Sequence, residues 1–192
     1  MSTSLTADHN FDNQNFTDSS FPKGDYENCV FTNCNFSESN LSEMRFLECE
    51  FVGCNLSNTN ISKSFFQDLD FRDCKMLGIQ FEHCNPFGFE VRFNNCQLNH
   101  ASFYQMKLGR SGFSNCQMEG VDFTETELKN TTLFNCNLQN AIFENTNLEL
   151  ADLRKSVNYS IDPEINKITG AKFSLPDVIG LLEKYRIKID PE

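Results

Sequence analysis

Nine cysteines and three histidines are the residues of this 192-residue chain with the most chemistry open to them. A thiolate can ligate a metal, attack an electrophile or pair into a disulfide. The stretch ENCVFTNCNF, residues 27–36, sets Cys29 and Cys34 five apart, each two residues before a phenylalanine. Structural zinc sites draw on short Cys-x-x-Cys and His spacings, whereas the cysteine pairs here have no histidine beside them. A disulfide framework uses an even number of cysteines, and nine is odd. A nucleophile needs a base held next to it in a concave site. No phosphate loop, G-x-S-x-G or H-E-x-x-H pattern is present. These residue types predict no catalytic residue, metal ligand or cofactor, and the chain is not read as an enzyme.

What the spacing does define is a period. From Phe11 to Phe81 every fifth residue is large and apolar or aromatic, fifteen positions in all, and a second series runs from Phe93 to Leu153 over thirteen. Neither an α-helix nor a flat strand repeats every five residues. A chain that turns a corner every five residues does, with the large residue at each unit's centre and the small one two before it pointing inward. Cys29, Cys34, Cys49, Cys54, Cys74, Cys84, Cys96, Cys116 and Cys136 all occupy the small position, if Pro86 is counted as an irregular centre. Ser39, Thr59, Ala101, Val121, Thr126, Ala141 and Ala151 share that position, so cysteine is expected there as a small buried residue. Thiols stacked about 4.8 Å apart with parallel Cβ atoms lie beyond the usual disulfide Cβ separation of about 3.5–4.5 Å. Reduced thiols, and with them a cytoplasmic setting, are expected. His9, His83 and His100 fall outside the inward positions or at the start of the repeat and are expected in solvent.

The units CNLSN, ADLRK and CNFSE resemble the A(D/N)LXX unit of the pentapeptide-repeat family over residues 9–155. The resemblance implies an all-β fold, a right-handed quadrilateral parallel β-helix with four pentapeptides to a coil, completed by a short C-terminal helix. Twenty-nine centres then make a little over seven coils, a rod about 34 Å long at the usual strand spacing. Cys84 and Val91 are both small-position residues but seven apart, so two extra residues lie within NPFGFE. If they bulge out at 85–90 and the coil resumes, Cys34, Cys54, Cys74, Cys96, Cys116 and Cys136 fall on one face. Their neighbours Asn35, Asn55, Lys75, Gln97, Gln117 and Asn137 fall there too, and Phe31, Phe51, Phe71, Phe93 and Phe113 stack on the face before.

Charge separates the rod from its tail. Residues 1–153 carry 21 acidic and 9 basic side chains, and residues 154–192 carry 6 and 7. A net charge of −11 argues against direct nucleic-acid binding and for a basic partner surface or a solvated exterior. The coil assignment puts Asp25, Glu27, Glu48, Asp68, Glu127 and Glu149 on one face, and Glu43, Glu82, Asp122, Glu125 and Glu144 on the adjacent one. The opening MSTSLTADHN lacks a basic segment followed by an apolar run and predicts no signal peptide. No stretch of about 18 apolar residues predicts a membrane span.

Residues 156–173 read as a final irregular coil, since Phe173 lies one coil beyond Leu153. In SLPDVIGLLEKYRIKID, Ser174 and Asp177 resemble a capping box and Pro176 suits a first helical turn. Leu175, Val178, Ile179 and Leu182 mark one helical face, with Leu181 and Tyr185 beside it. An open coil end exposes core and strand edge and must be covered. The tail over 156–192 is read as a cap, or as a cap that also dimerises, the second because Ile187 and Ile189 add apolar residues beyond the helix.

The segments CEFVGCNLS, FRDCKMLGI, LNHASFYQMKLG and VNYSIDPEINKITGAKFSLPDVIGLL are similar to the topoisomerase-protection group of pentapeptide-repeat proteins. That group comprises the albicidin-resistance, microcin B17 immunity and quinolone-resistance (Qnr) proteins. The resemblance implies a dimeric, rod-shaped DNA mimic that binds DNA gyrase and guards it against poisons. Quinolone-group members carry longer loops projecting from the rod, and only the short 85–90 bulge corresponds to them here. The alternative is a structural or adaptor solenoid with another protein partner.

Overall fold

The computed structural model describes residues 4–17 and 21–190; the last two residues of the predicted tail lie outside them. Short strands recur in chain order: β1 (Ser4–Ala7), β2 (Asn10–Asp12), β3 (Gly24–Glu27), β4 (Val30–Thr32), β5 (Arg45–Leu47) and β6 (Glu50–Val52). They continue as β7 (Phe65–Gln67), β8 (Leu69–Arg72), β9 (Val91–Asn94), β10 (Gly112–Ser114) and β11 (Thr132–Phe134). β1, β3, β5 and β7 form one parallel sheet, and the other seven form a second. Each strand pairs one coil on, as in Phe31 with Phe51 and Tyr26 with Phe46. Two further faces are held by single bridges, one running Asn35, Asn55, Lys75, Gln97, Gln117, Asn137 and Val157. The other runs Gln80, Ser102, Asp122 and Ile142. The result is a parallel β-solenoid with four faces.

The interior is the set of residues that the period of five selects. Phe11, Phe31, Phe51, Phe71, Phe93 and Phe113 form a column with successive centroids 4.8, 4.6, 5.0, 5.2 and 5.2 Å apart. Phe81, Phe103, Phe123 and Phe143 form another, at 4.6, 5.5 and 5.3 Å. Each ring held between two others therefore loses water on both faces, which is worth about 1.5–3 kcal/mol per fully buried large side chain.

Two residues after most centres the chain turns through a left-handed conformation, as at Asn33 (φ 52°), Glu48 (52°), Asp68 (55°) and Glu125 (55°). Asn tolerates this region and other L-residues are penalised there, which accounts for the many asparagines at the corners.

At the register break the inward residue differs from the one counted in the sequence. Leu69 pairs with Val91 and Phe71 with Phe93, a step longer by two than in other coils. Pro86, counted from sequence as the irregular centre, is exposed. Phe89 is the buried residue instead and stacks on Phe66 at 6.5 Å. The two-residue insertion thus shifts the centre three places along, past an outward Phe87.

The tail differs from the sequence reading in kind. Residues 177–181 and 183–185 form 3-10 turns, so the predicted helix is a pair of short turns. The capping box does not form: no side chain caps the first turn, and the Ser174 hydroxyl accepts from the Lys155 N–H at 3.1 Å instead. A final coil over 156–173 does form, with Asn147 bridging Lys167 and Asp152 bridging Lys172. Tyr159 and Ile161 fill it, and Gly180 closes over them. A Cβ on Gly180 would stand 2.1 Å from the Tyr159 carbonyl oxygen, and its own carbonyl accepts from Ile161 N–H at 3.1 Å. Only glycine permits that approach.

Candidate partner-binding faces

The cysteines do structural work that the sequence reading understated. All nine are free and buried. Cys34, Cys54, Cys74 and Cys96 donate from Sγ to the carbonyls of Phe11, Phe31, Phe51 and Phe71 in the preceding coil, at 3.2–3.4 Å. Thr59, Thr126, Thr131, Thr146 and Ser156 make the same bond from a hydroxyl, at 2.6–3.0 Å. The small position therefore selects a small donor as well as a small volume. Burial pushes the Cys49 and Cys84 thiols up to about 12, so they stay protonated and unreactive near neutral pH. Among the described residues no cluster of His, Cys, Asp and Glu could hold a metal ion. His9, His83 and His100 are exposed.

Chemistry is thus left to the outer faces. Asp25 and Glu27 stand on β3, and Glu48 and Asp68 at the corners after β5 and β7. Beyond the bulge the same face continues through the bridges Lys107–Glu127–Asn147, with Glu149 beside it. Glu43 and Glu125 are corner residues of the adjacent face, where Asp122 bridges Ser102 and Ile142.

The acids are not equally available. Arg92 binds Asp68 and reaches Asp70 at 2.8 Å and Glu90 at 3.4 Å. Its hydrogen bonds to Asp70 and then Asp68 hold its own pKa above the ordinary guanidinium value. Lys129 lies 2.9 Å from Glu149, and its hydrogen bond holds that carboxyl below the usual range. Lys23 lies 3.6 Å from Glu43. Asp122 accepts from the Thr124 N–H at 2.8 Å and Glu125 from the Gln105 amide at 2.8 Å. Glu27, Glu48 and Glu144 make no ion pair among the described residues. Glu82 Oε2 and Glu127 Oε1 are shielded from solvent without a hydrogen-bond partner.

Sequence reasoning missed the network Glu50–Arg72–Asp70–Arg92–Glu90. Its signal was present in the register, since Glu50, Asp70 and Arg92 succeed one another across β6, β8 and β9.

At the far end, Leu175, Ile179, Leu182, Tyr185, Ile187 and Ile189 are exposed, from 38% for Leu182 to 84% for Leu175. Val178 and Leu181 are half-buried, and Leu181 packs on the core. Lys184 pins the segment down, 2.7 Å from Asp162 and 2.6 Å from Glu164, and Tyr185 donates to Glu164 at 2.8 Å. No helix among the described residues is long and apolar enough to cross a membrane.

A filled four-faced parallel solenoid with charged outer faces defines the class. Residues 24–86 and 89–159 match the pentapeptide repeat region, and the chain belongs to the pentapeptide-repeat family. Its fold is similar to that of a trypsin-treated form of QnrB1, a plasmid-mediated fluoroquinolone resistance protein. The TM-score is 0.63 at 18% identity, over 97% of this chain and 100% of that one. Full-length QnrB1 matches at TM-score 0.50 and 18% identity, over 96% and 100% of the two chains. HetL, a pentapeptide repeat protein involved in heterocyst differentiation regulation from the cyanobacterium Nostoc sp. strain PCC 7120, matches at TM-score 0.57 and 12% identity. That match covers 89% of this chain and 85% of HetL. At these identities the likeness is one of fold. No curated protein matches the chain in a sequence comparison.

Proposed function

We propose that this chain is a cytoplasmic, homodimeric binding protein that engages DNA gyrase or a related type II topoisomerase as a DNA mimic and guards it against poisons. It acts by binding rather than by catalysis. The observation that carries the reading is the pairing of a QnrB1-like solenoid over nearly the whole chain with carboxylates spread over two outer faces, Glu48 and Asp68 among them at corners one coil apart. An enzyme that grips DNA does so largely through phosphate charge. Carboxylates distributed along a rod of about 34 Å present a sparser version of that array, at roughly one net charge per 2.8 Å against about one per 1.7 Å for B-DNA. Two copies joined through the apolar tail would span about 70 Å, some 20 base pairs at about 3.4 Å per step. Binding of this kind weakens as salt screens the charges.

The test is a gyrase supercoiling and cleavage assay with purified protein, with and without a poison. Expected is competition with DNA, and less poison-stabilised cleavage at concentrations below those that abolish supercoiling. Glu48→Lys with Glu144→Lys should weaken both while leaving the fold intact, since neither carboxylate is held in an ion pair. Absence of gyrase binding at low salt, or an equally active double reversal, would leave the adaptor reading in its place, which the HetL-like fold supports.

A further inference from the structure

The bulge at 85–90 shapes a groove that shares Glu82 with one acidic face and is otherwise largely apolar. The loop is built rather than slack. Asn85 Oδ1 accepts from the Phe87 N–H at 2.9 Å, and the Gln67 amide donates to the Phe87 carbonyl at 3.3 Å. Phe89 anchors the far side in the core. Gly88 sits at φ 68°, and a Cβ there would meet Gln67 Nε2 at 2.5 Å. This frame holds Phe87 in water with 75% of its surface exposed. One coil on, Tyr104 is 38% exposed. Between them lies a cavity of about 660 Å³ floored by Cys84, Phe89 and Met106, with Glu82 and Lys107 also on its lining. Glu82 Oε2 has no hydrogen-bond partner.

An exposed aromatic pair over an apolar floor marks an interaction site, and the charges say what fits. Glu82 puts a carboxylate on the lining, and a carboxylate pairs with a cationic donor. Tyr104 and Phe87 offer ring faces to a cation, and Lys107 repels a second positive charge while suiting a carbonyl or carboxylate. A guanidinium meets these demands together: it is planar, stacks on rings and donates in a fork to a carboxylate. We infer that this groove receives an arginine-bearing surface loop of a protein partner, with the guanidinium on Glu82 between the Phe87 and Tyr104 rings. The inference holds for any protein partner and does not depend on that partner being a topoisomerase.

The experiment uses the full chain labelled with nitrogen-15 and an acetylated, amidated Gly-Leu-Arg-Leu-Gly peptide, followed by NMR titration. Saturable shifts are expected at the amides of Phe87, Gly88, Tyr104 and Lys107. Binding should weaken at least fivefold when citrulline replaces the arginine, and several-fold when lysine does. Glu82→Gln should lose the preference for arginine over citrulline. Phe87→Ser, a change in a side chain that the fold leaves in water, should weaken the peptide at least fivefold at an unchanged melting temperature. Equal affinity for the citrulline peptide, shifts confined to other faces, or a Phe87→Ser variant that binds undiminished would each overturn the assignment.

Discussion

The coils before the bulge and those after it solve the same packing problem with different backbones. Before it, Tyr26, Phe46 and Phe66 centre the first face, and their segments are strands paired into the four-stranded sheet. After it, Leu108, Leu128 and Leu148 centre that face, and the sheet gives way to single bridges. The later corners close with backbone bonds from Ser111 N–H to Leu108 O at 2.8 Å, and from Thr131 to Leu128 and Ala151 to Leu148 at 3.0 Å. The second face keeps its strands through the bulge, from β2 to β11. Cysteine tracks the difference. Eight of the nine follow a strand-type centre, and only Cys84, at the entrance to the bulge, follows a turn-type one. The comparison teaches that the insertion is where one face exchanges strand for turn, with Phe89 bridging the two regimes.

The largest effect should come from the aromatic column that runs through both regions. Phe71→Ala removes a ring held between Phe51 and Phe93 and should cost about 3–5 kcal/mol, read as a fall in the urea midpoint. An unchanged midpoint would mean that the column does not stabilise the rod. Next comes the junction. Deleting Phe87 and Gly88 restores an even coil length but draws Phe89 from its place on Phe66, with an expected loss of about 2–4 kcal/mol, the range for emptying a core site. A deletion variant as stable as its parent would show that the exchange needs no insertion.

Within the strand-type corners, Cys74→Ser keeps a donor toward the Phe51 carbonyl and should be mild. Cys74→Leu overfills the corner and should cost about 1–3 kcal/mol. The buried thiols should label with a thiol reagent only after unfolding; rapid labelling of six or more in the native protein would contradict their burial.

The tail responds to acid. Asp162 is held below the usual carboxylate range by the Lys184 hydrogen bond and then by the Glu164 N–H, and Glu164 by Lys184 and then the Tyr185 hydroxyl. A carboxylate whose folded pKa is depressed contributes its stability above the unfolded value, about 4, and loses it as pH falls through the folded value. Hydrogen-exchange protection at residues 180–185, relative to the unfolded chain at the same pH, should be steady between about pH 5 and 8, by that reasoning, and fall below about pH 4. Lys184→Met should flatten this dependence. Ile179→Asp places a charge on the exposed apolar strip, and light scattering should report a monomer if two copies meet there. The smallest effect is at a corner: Leu150→Asn puts a tolerant residue at φ 58° and should stabilise by roughly 0.5–1 kcal/mol.

The sequence alone determined the solenoid, because a period of five selects the same two inward positions in every unit, and Phe31 through Phe113 could be stacked by counting. It determined the bulge for the same reason, since Cys84 and Val91 cannot both be inward at the ordinary step. Tertiary structure decided what counting cannot reach. Which residue fills the core at the bulge depended on where the loop could be tied, and Gln67 with Gly88 turned Phe89 inward in place of Pro86. Whether residues 177–185 coil as an α-helix or as tighter turns depended on Gly180 fitting against Tyr159. Which acids face a partner freely depended on the cations that the coil brings beside them. Arg92 lies a full coil and more from Asp68 in sequence and against it in space.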